Sequence, residues 1–242
     1  MIKPRIVLSR CFSHPVRYDG TQVIDDFVEK LKPYIDYIDF CPEFEIGLGV
    51  LRLRVIVLKN DDSKKLIQPD TGIDLTEKML NYVEQTIKKI NDIDGFILKA
   101  KSPCCGVGST KLYRNTAVIG KTYGFFAEGI KKNFPYLPLE DEIRLKNEET
   151  KWHFLTRIFA FSELRNLMKN CDVKKLTEFH SRYKDILMSY SQKHLNQLGK
   201  IVEDEKISVQ EKFSKYEKLF YQALRRKPSE KHLANFPEEL IK

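Results

Sequence analysis

At 242 residues, 42% apolar and 31% charged, the chain has the composition of an ordinary globular protein and the length of one large domain or two modest ones. No apolar run approaches the roughly 20 residues that cross a bilayer. The amino terminus breaks its short apolar run with Arg10 and shows no cleavage site, so the sequence predicts neither a membrane protein nor a secreted one, and a cytoplasmic location is expected. The net charge of +8 is unevenly held. Residues 1–150 have 23 Lys and Arg against 22 Asp and Glu and carry +1, whereas 151–242 have 19 against 12 and carry +7. A basic second half predicts an anionic partner there, with a solvated helical surface as the plain alternative.

In chain order, Ile6-Val-Leu8 reads as a strand running into Ser9-Arg-Cys11, and His14 to Gly20 as a turn-rich loop. Arg17, Tyr18 and Asp19 of that loop either orient a planar polar ligand or close a local hydrogen-bonded turn. Residues 24–35 space Phe27, Leu31 and Ile35 as a helix. A second strand, Tyr37-Ile-Asp-Phe40, runs into Cys41-Pro-Glu43. Glu43, two residues from a thiol, is a candidate general acid or base, although a loop Glu is more often simply solvated. Leu51 to Leu58 alternates as a strand with Arg52 and Arg54 on one face, and 60–73 reads as a polar loop. Asp74-x-x-Glu77 resembles a capping box opening a helix from Leu75 to about Ile90. Gly95-Phe-Ile-Leu98 is a buried strand delivering the loop Lys99-Ala-Lys-Ser-Pro-Cys-Cys-Gly-Val-Gly108, whose glycines are expected to let something bulky approach the main chain. A helix is expected over 122–134, a linker over 140–150, and helices at about 151–169, 173–192, 194–204 and 208–226. The fold class expected is therefore an α/β domain with a mostly parallel sheet carrying cysteines at strand ends, over 1–146, followed by an all-α domain over 150–242.

The five cysteines are an odd number at wide spacings, which disfavours a disulfide framework, and no C-x-x-C pair supports structural zinc. Three strands that each end in a cysteine would place three thiols on one edge of a parallel sheet, where open α/β sheets hold their ligands. An iron-sulfur cluster accepts thiolates from distant loops, and three ligands leave one iron open as a Lewis acid. Cys104 stays open as a fourth ligand, a nucleophile or a small packing residue, and Cys171 is expected to be structural.

Ser9-Arg-Cys11, Val16-Arg-Tyr-Asp-Gly20, Cys41-Pro-Glu-x-Glu-x-Gly-Leu-Gly49, Asp74-Leu-Thr76 and Lys99-x-Lys-Ser-Pro-x-Cys-Gly106 together resemble the thiouracil desulfidase family (DUF523). Phe179-His-Ser-Arg-Tyr-Lys184, Leu187-Met188 and Leu198-Gly199 resemble the DUF1722 helical domain fused to it in one branch. Cys104 stands where the family usually has Ser, and Leu51 where it usually has Pro. The resemblance implies a 4Fe-4S cluster on Cys11, Cys41 and Cys105 and non-redox removal of sulfur from a thiolated pyrimidine. Glu43 matches the family's catalytic carboxylate and Ser102 its active-site serine, while Arg17, Tyr18, Asp19 and Lys101 are expected in the substrate pocket. The fused branch resembles enzymes acting on 4-thiouridine in tRNA, which makes RNA the expected partner of the basic helical half. Free thiouracil is the alternative substrate, and a non-catalytic RNA-binding protein or a vicinal-dithiol redox protein are the rival readings.

Overall fold

The computed structural model describes residues 2–61, 63–228 and 234–241. A first sheet joins β1 (Arg5–Ser9), β2 (Asp36–Phe40), β6 (Gly95–Leu98) and β9 (Leu139–Asp141) in the order β2-β1-β6-β9, every pairing parallel. A second joins β3 (Ile56–Asn60), β4 (Ser63–Gln68), β5 (Ile73–Asp74), β7 (Thr110–Arg114) and β8 (Ala117–Thr122) in the order β5-β4-β3-β7-β8, antiparallel except between β3 and β7. The α/β half adds α1 (Asp26–Leu31), α2 (Thr76–Lys89) and α3 (Phe125–Asn133), and the helical half α4 (Glu148–Met168), α5 (Val173–Arg182), α6 (Lys184–Glu203) and α7 (Val209–Ala223).

Period-two alternation buries the parallel sheet on both faces, which is why its strands read as continuous apolar runs. Val7, Phe96 and Leu98 face α2 and α3 through Met79, Val83, Phe126 and Ile130. Ile6, Leu8 and Ile97 face α1 and α4 through Val28, Leu31, Leu155 and Ile158. The second sheet puts Val57 and Leu66 into the α2–α3 core, with Leu112 packed against it.

Several expected bounds move. Residues 24–35 form the short α1, capped by Asp25, which accepts from the Phe27 and Val28 N–H groups at 3.1 Å, and then a 3-10 turn over Lys32–Tyr34 around Pro33. The strand expected at 51–58 starts only at Ile56. The polar loop 60–73 is largely β4, in which Lys64 bonds the Tyr123 carbonyl and Glu128, so a basic residue satisfies a half-buried strand position. The capping box does not form: Asp74 accepts from the Thr76 N–H at 3.0 Å in a local turn and α2 starts at Thr76. The α5–α6 break falls at Tyr183, and the boundary expected near 192 is a kink at Ser191 inside α6.

The stretch 140–150 is not a linker. It completes β9, and Glu142 accepts from the Ala100 N–H at 2.8 Å and from Lys99 Nζ at 2.5 Å before α4 begins under an Asn147 cap. From there α4 runs antiparallel to the strands. At the far end of the sheet, Arg165 meets the fully buried Asp94, which also accepts the Arg5 N–H. The axial rise between Glu148 and Arg165 is roughly 25 Å. Near that far end, Ala160, Phe161 and Leu164 join Phe179, Tyr216 and Phe220 of α5 and α7 in the helical core. Among the described residues no helix is long and apolar enough to cross a membrane.

Candidate metal centre and active site

Because β2, β1 and β6 are adjacent and parallel, Cys41, Cys11 and Cys105 follow their carboxyl ends and line one cleft of about 460 Å³. Cys11 sits in a 3-10 turn directly after β1. Cys41 opens the turn that carries Glu43, and its thiol points to the Val16 carbonyl at 3.9 Å. The Cys105 loop is fastened from several sides. Ser9 Oγ accepts the Lys99 N–H at 2.9 Å, and Ser102 Oγ accepts the Cys104 and Cys105 N–H groups at 3.2 and 3.1 Å. The loop also takes up free donors of α3: Phe126 and Ala127 both give their N–H to the Cys104 carbonyl.

Burial pushes the Cys11 thiol up to about 12 and the proximity of Cys41 adds to this. Burial likewise raises Cys41 and Cys105, and the other two thiols push Cys105 further. Such groups shed their protons to a cation far more readily than to water. Among the described residues, no three His, Cys, Asp or Glu side chains lie close enough to grip one metal ion.

Glu43 is held between two partners. Arg52, itself buried, places Nε and Nη2 at 2.9 and 2.8 Å from Oε2, while its Nη1 donates to the carbonyls of Val16 and Gly49. Ser102 Oγ donates to the other oxygen, Oε1, at 3.4 Å. The carboxylate therefore faces the thiols with one oxygen clamped and one directed to a hydroxyl. Sequence reasoning placed Arg52 only on a strand face; its spacing just past Gly49 was the available signal.

Arg17, Tyr18 and Lys101 line the cleft with Glu43 and Ser102. Asp19 does not: its carboxylate accepts from the Thr21 N–H and hydroxyl and pairs with Arg17, closing the local turn, so the expectation that it lines the pocket is corrected. Cys104 is fully buried in the α2–α3 core rather than in the cleft, which makes it a packing residue, and Cys171 bonds the Met168 carbonyl at the end of α4. The loop glycines make room for the protein itself. A Cβ on Gly106 would lie 2.2 Å from Thr110 Oγ1, and one on Gly108 would touch Tyr123. Arg10, Arg54, Lys99, Lys111 and Tyr113, not singled out as pocket residues by the sequence, also line the cleft. Seven of its lining side chains are Lys or Arg and two oppose them with carboxyl chemistry only through Glu43 and the Glu142 partner of Lys99.

With this geometry in place, the comparison with protein families is decisive. Residues 6–142, more than half of the chain, match the 2-thiouracil desulfurase family. The chain belongs to that family. Membership makes it an enzyme of the thiouracil-desulfurase class, and residues 184–241 match DUF1722, a protein family of unknown function. A solved structure described as a 4Fe-4S-dependent thiouracil desulfidase, TudS, is similar at 23% identity and a TM-score of 0.46, covering 60% of this chain and 94% of that one. A search of curated proteins gives no match.

Proposed function

We propose that the protein is an iron-sulfur-dependent, non-redox desulfidase that removes sulfur from 4-thiouracil-type bases in tRNA, working in the cytoplasm, with Cys11, Cys41 and Cys105 holding a 4Fe-4S cluster. The observation that carries the reading is the meeting of three thiols, from the ends of three adjacent parallel strands, with Glu43 in one cleft. The donor set fits the cluster: the thiols share a cleft without converging on one ion, as suits thiolates that each bind a separate iron. When bound, the cluster supplies an iron without a protein ligand, a Lewis acid for soft thiocarbonyl sulfur.

The chain's own residues do the rest. Glu43 takes a proton from the water that replaces sulfur on the base and returns one to the ring. Arg52 fixes the carboxylate for this work by occupying Oε2, and Ser102 shapes the Cys105 turn while directing its hydroxyl to Oε1. Arg17, Tyr18 and Lys101 hold the substrate at the rim. A nucleic-acid substrate is supported over the free base by cleft-lining cations without a carboxylate partner, Arg54, Lys101 and Lys111. The helical half, at the end of α4 remote from the cleft, holds the RNA body by its +7 charge rather than touching the reacting base.

The test is anaerobic reconstitution followed by sulfide release from thiolated tRNA and from free 4-thiouracil. Glu43→Gln is expected to cost at least about 100-fold in kcat at unchanged iron content. Full turnover of that variant would remove Glu43 from the mechanism. No release by iron-loaded wild type would remove the desulfidase reading, and release from the free base alone would replace tRNA by thiouracil.

A further inference from the structure

The second sheet carries a feature that the desulfidase chemistry does not use. Lys111 of β7 and Lys121 of β8 stand directly opposite each other in the register, on the same face. Like charges opposed across two strands are unfavourable, yet among the described residues neither has a carboxylate within 4.0 Å. Two strand positions along from Lys111, roughly 7 Å, Tyr113 pairs with Val118 on that same face. Lys111, Tyr113 and Arg54 also line the mouth of the cleft, so the face continues the active site outward. The inner face, by contrast, is committed to the core through Val57, Leu66 and the adjoining Leu112.

We propose that this outer face, centred on Lys111, Tyr113, Val118 and Lys121, docks the single-stranded RNA that flanks the target base. Resting on the desulfidase reading above, it names how the substrate reaches that site. Charge complementarity selects the occupant. The unpaired lysines match successive phosphates, Tyr113 offers a ring for a neighbouring base, and a strand that leaves its thiolated base in the cleft must cross this rim. An acidic peptide would satisfy the lysines but leave the aromatic position at a base-sized cleft without a use. The edge of β8 is exposed over Ala117–Lys121, with Val118 at 51% and Ile119 at 45%, so a strand lying along it meets no other element.

The experiment uses the anaerobically reconstituted full chain and a pentanucleotide with one central 4-thiouridine, too short to span the roughly 25 Å to the basic end of α4 and touch the helical half. Lys121→Gln is expected to raise KM for this substrate about three- to tenfold with kcat unchanged, and to leave turnover of free 4-thiouracil as in wild type. The slope of log Kd against log salt, read by fluorescence anisotropy with the unmodified pentanucleotide, should become shallower by about 0.7, the loss of one single-strand phosphate contact. Lys111→Gln/Lys121→Gln should double that change, and Lys193→Gln/Lys200→Gln on α6 should leave the pentanucleotide unaffected. Unchanged pentanucleotide binding by Lys121→Gln overturns the proposal. So does an equal KM increase on 4-thiouridine monophosphate, which would make the lysines a site for the substrate's own phosphate. A wild-type dimer dispersed by Ile119→Lys would hand the face to a second copy of the chain and overturn it too. Because anisotropy needs no turnover, a failure of the desulfidase reading leaves the docking result separately decided.

Discussion

Arg52 decides which oxygen of Glu43 is free, and it does so through three carbonyl and carboxylate contacts made while almost wholly buried. The carboxylate was legible because it lies two residues from a cysteine. Its clamp was not, because the chain turns at Gly47 and Gly49 in left-handed backbone before Arg52 comes back beside Glu43. A second buried residue makes a stability prediction. His153 lies under Tyr190, 2.9 Å from its hydroxyl, and burial with the nearby Arg157 charge brings its pKa down to about 3. In the unfolded chain the imidazole titrates near 6.5. Above that value both states are neutral and His153 adds no pH dependence. Below it the unfolded chain takes up a proton that the folded one refuses until about 3, so stability present above pH 6.5 falls by up to about 1.4 kcal/mol per pH unit on acidification. Urea unfolding of wild type and His153→Gln between pH 7 and 4 should show a flatter acid limb in the variant. Parallel limbs would mean that the ring titrates normally in the fold.

At the scale of elements, the thiol loop and α3 are one unit. The first N–H groups of α3 bond the loop carbonyls of Pro103 and Cys104, and Gly124, just before the helix, packs so closely that a Cβ there would lie 2.4 Å from the Cys104 carbonyl carbon. Gly124→Ala is expected to displace the Cys105 ligand loop and lower the iron bound after reconstitution, with helix content by circular dichroism preserved. Gly120→Ala, where a Cβ meets nothing within 4 Å, should load iron as wild type does. Equal loading by both variants would show that the loop tolerates the shift. The three strand-and-cysteine units were legible because buried parallel strands write themselves as apolar runs followed by glycine and proline. The β7–β8 hairpin was not, since β8 is exposed on both faces and its Ala-Val-Ile-Gly-Lys-Thr shows no alternation of burial to read. Thr110, which fixes Gly106, therefore lay outside any element the pattern could supply.

At the scale of the molecule, composition marked the charge difference between halves but not where the halves meet, because α4 has apolar residues on nearly every side and serves two cores at once. Leu155, Ile158 and Phe159 cover the face of the parallel sheet made by Ile6, Leu8 and Ile97, and Phe236 and Leu240 from the carboxyl end close the same cluster. Phe161 and Leu164 belong to the helical core. The buried ion pair of Arg165 with Asp94 fixes the far end of the helix to the start of β6. A chain ending at residue 146 would keep the cysteines, Glu43 and Arg52, yet expose an apolar sheet face of the kind that drives association. It is expected to be insoluble or to unfold without a cooperative transition, and to load no iron. A chain ending at 170 restores the cover over Ile6, Leu8 and Ile97 and should recover part of the folded signal, while exposing Phe161 and Leu164. Thermal unfolding followed by circular dichroism, with sedimentation to report association, separates these outcomes. A monomeric 1–146 fragment that melts cooperatively and binds iron would show that the sheet closes without α4. The helical residues would then be an appendage to the catalytic half, rather than the second wall of its core.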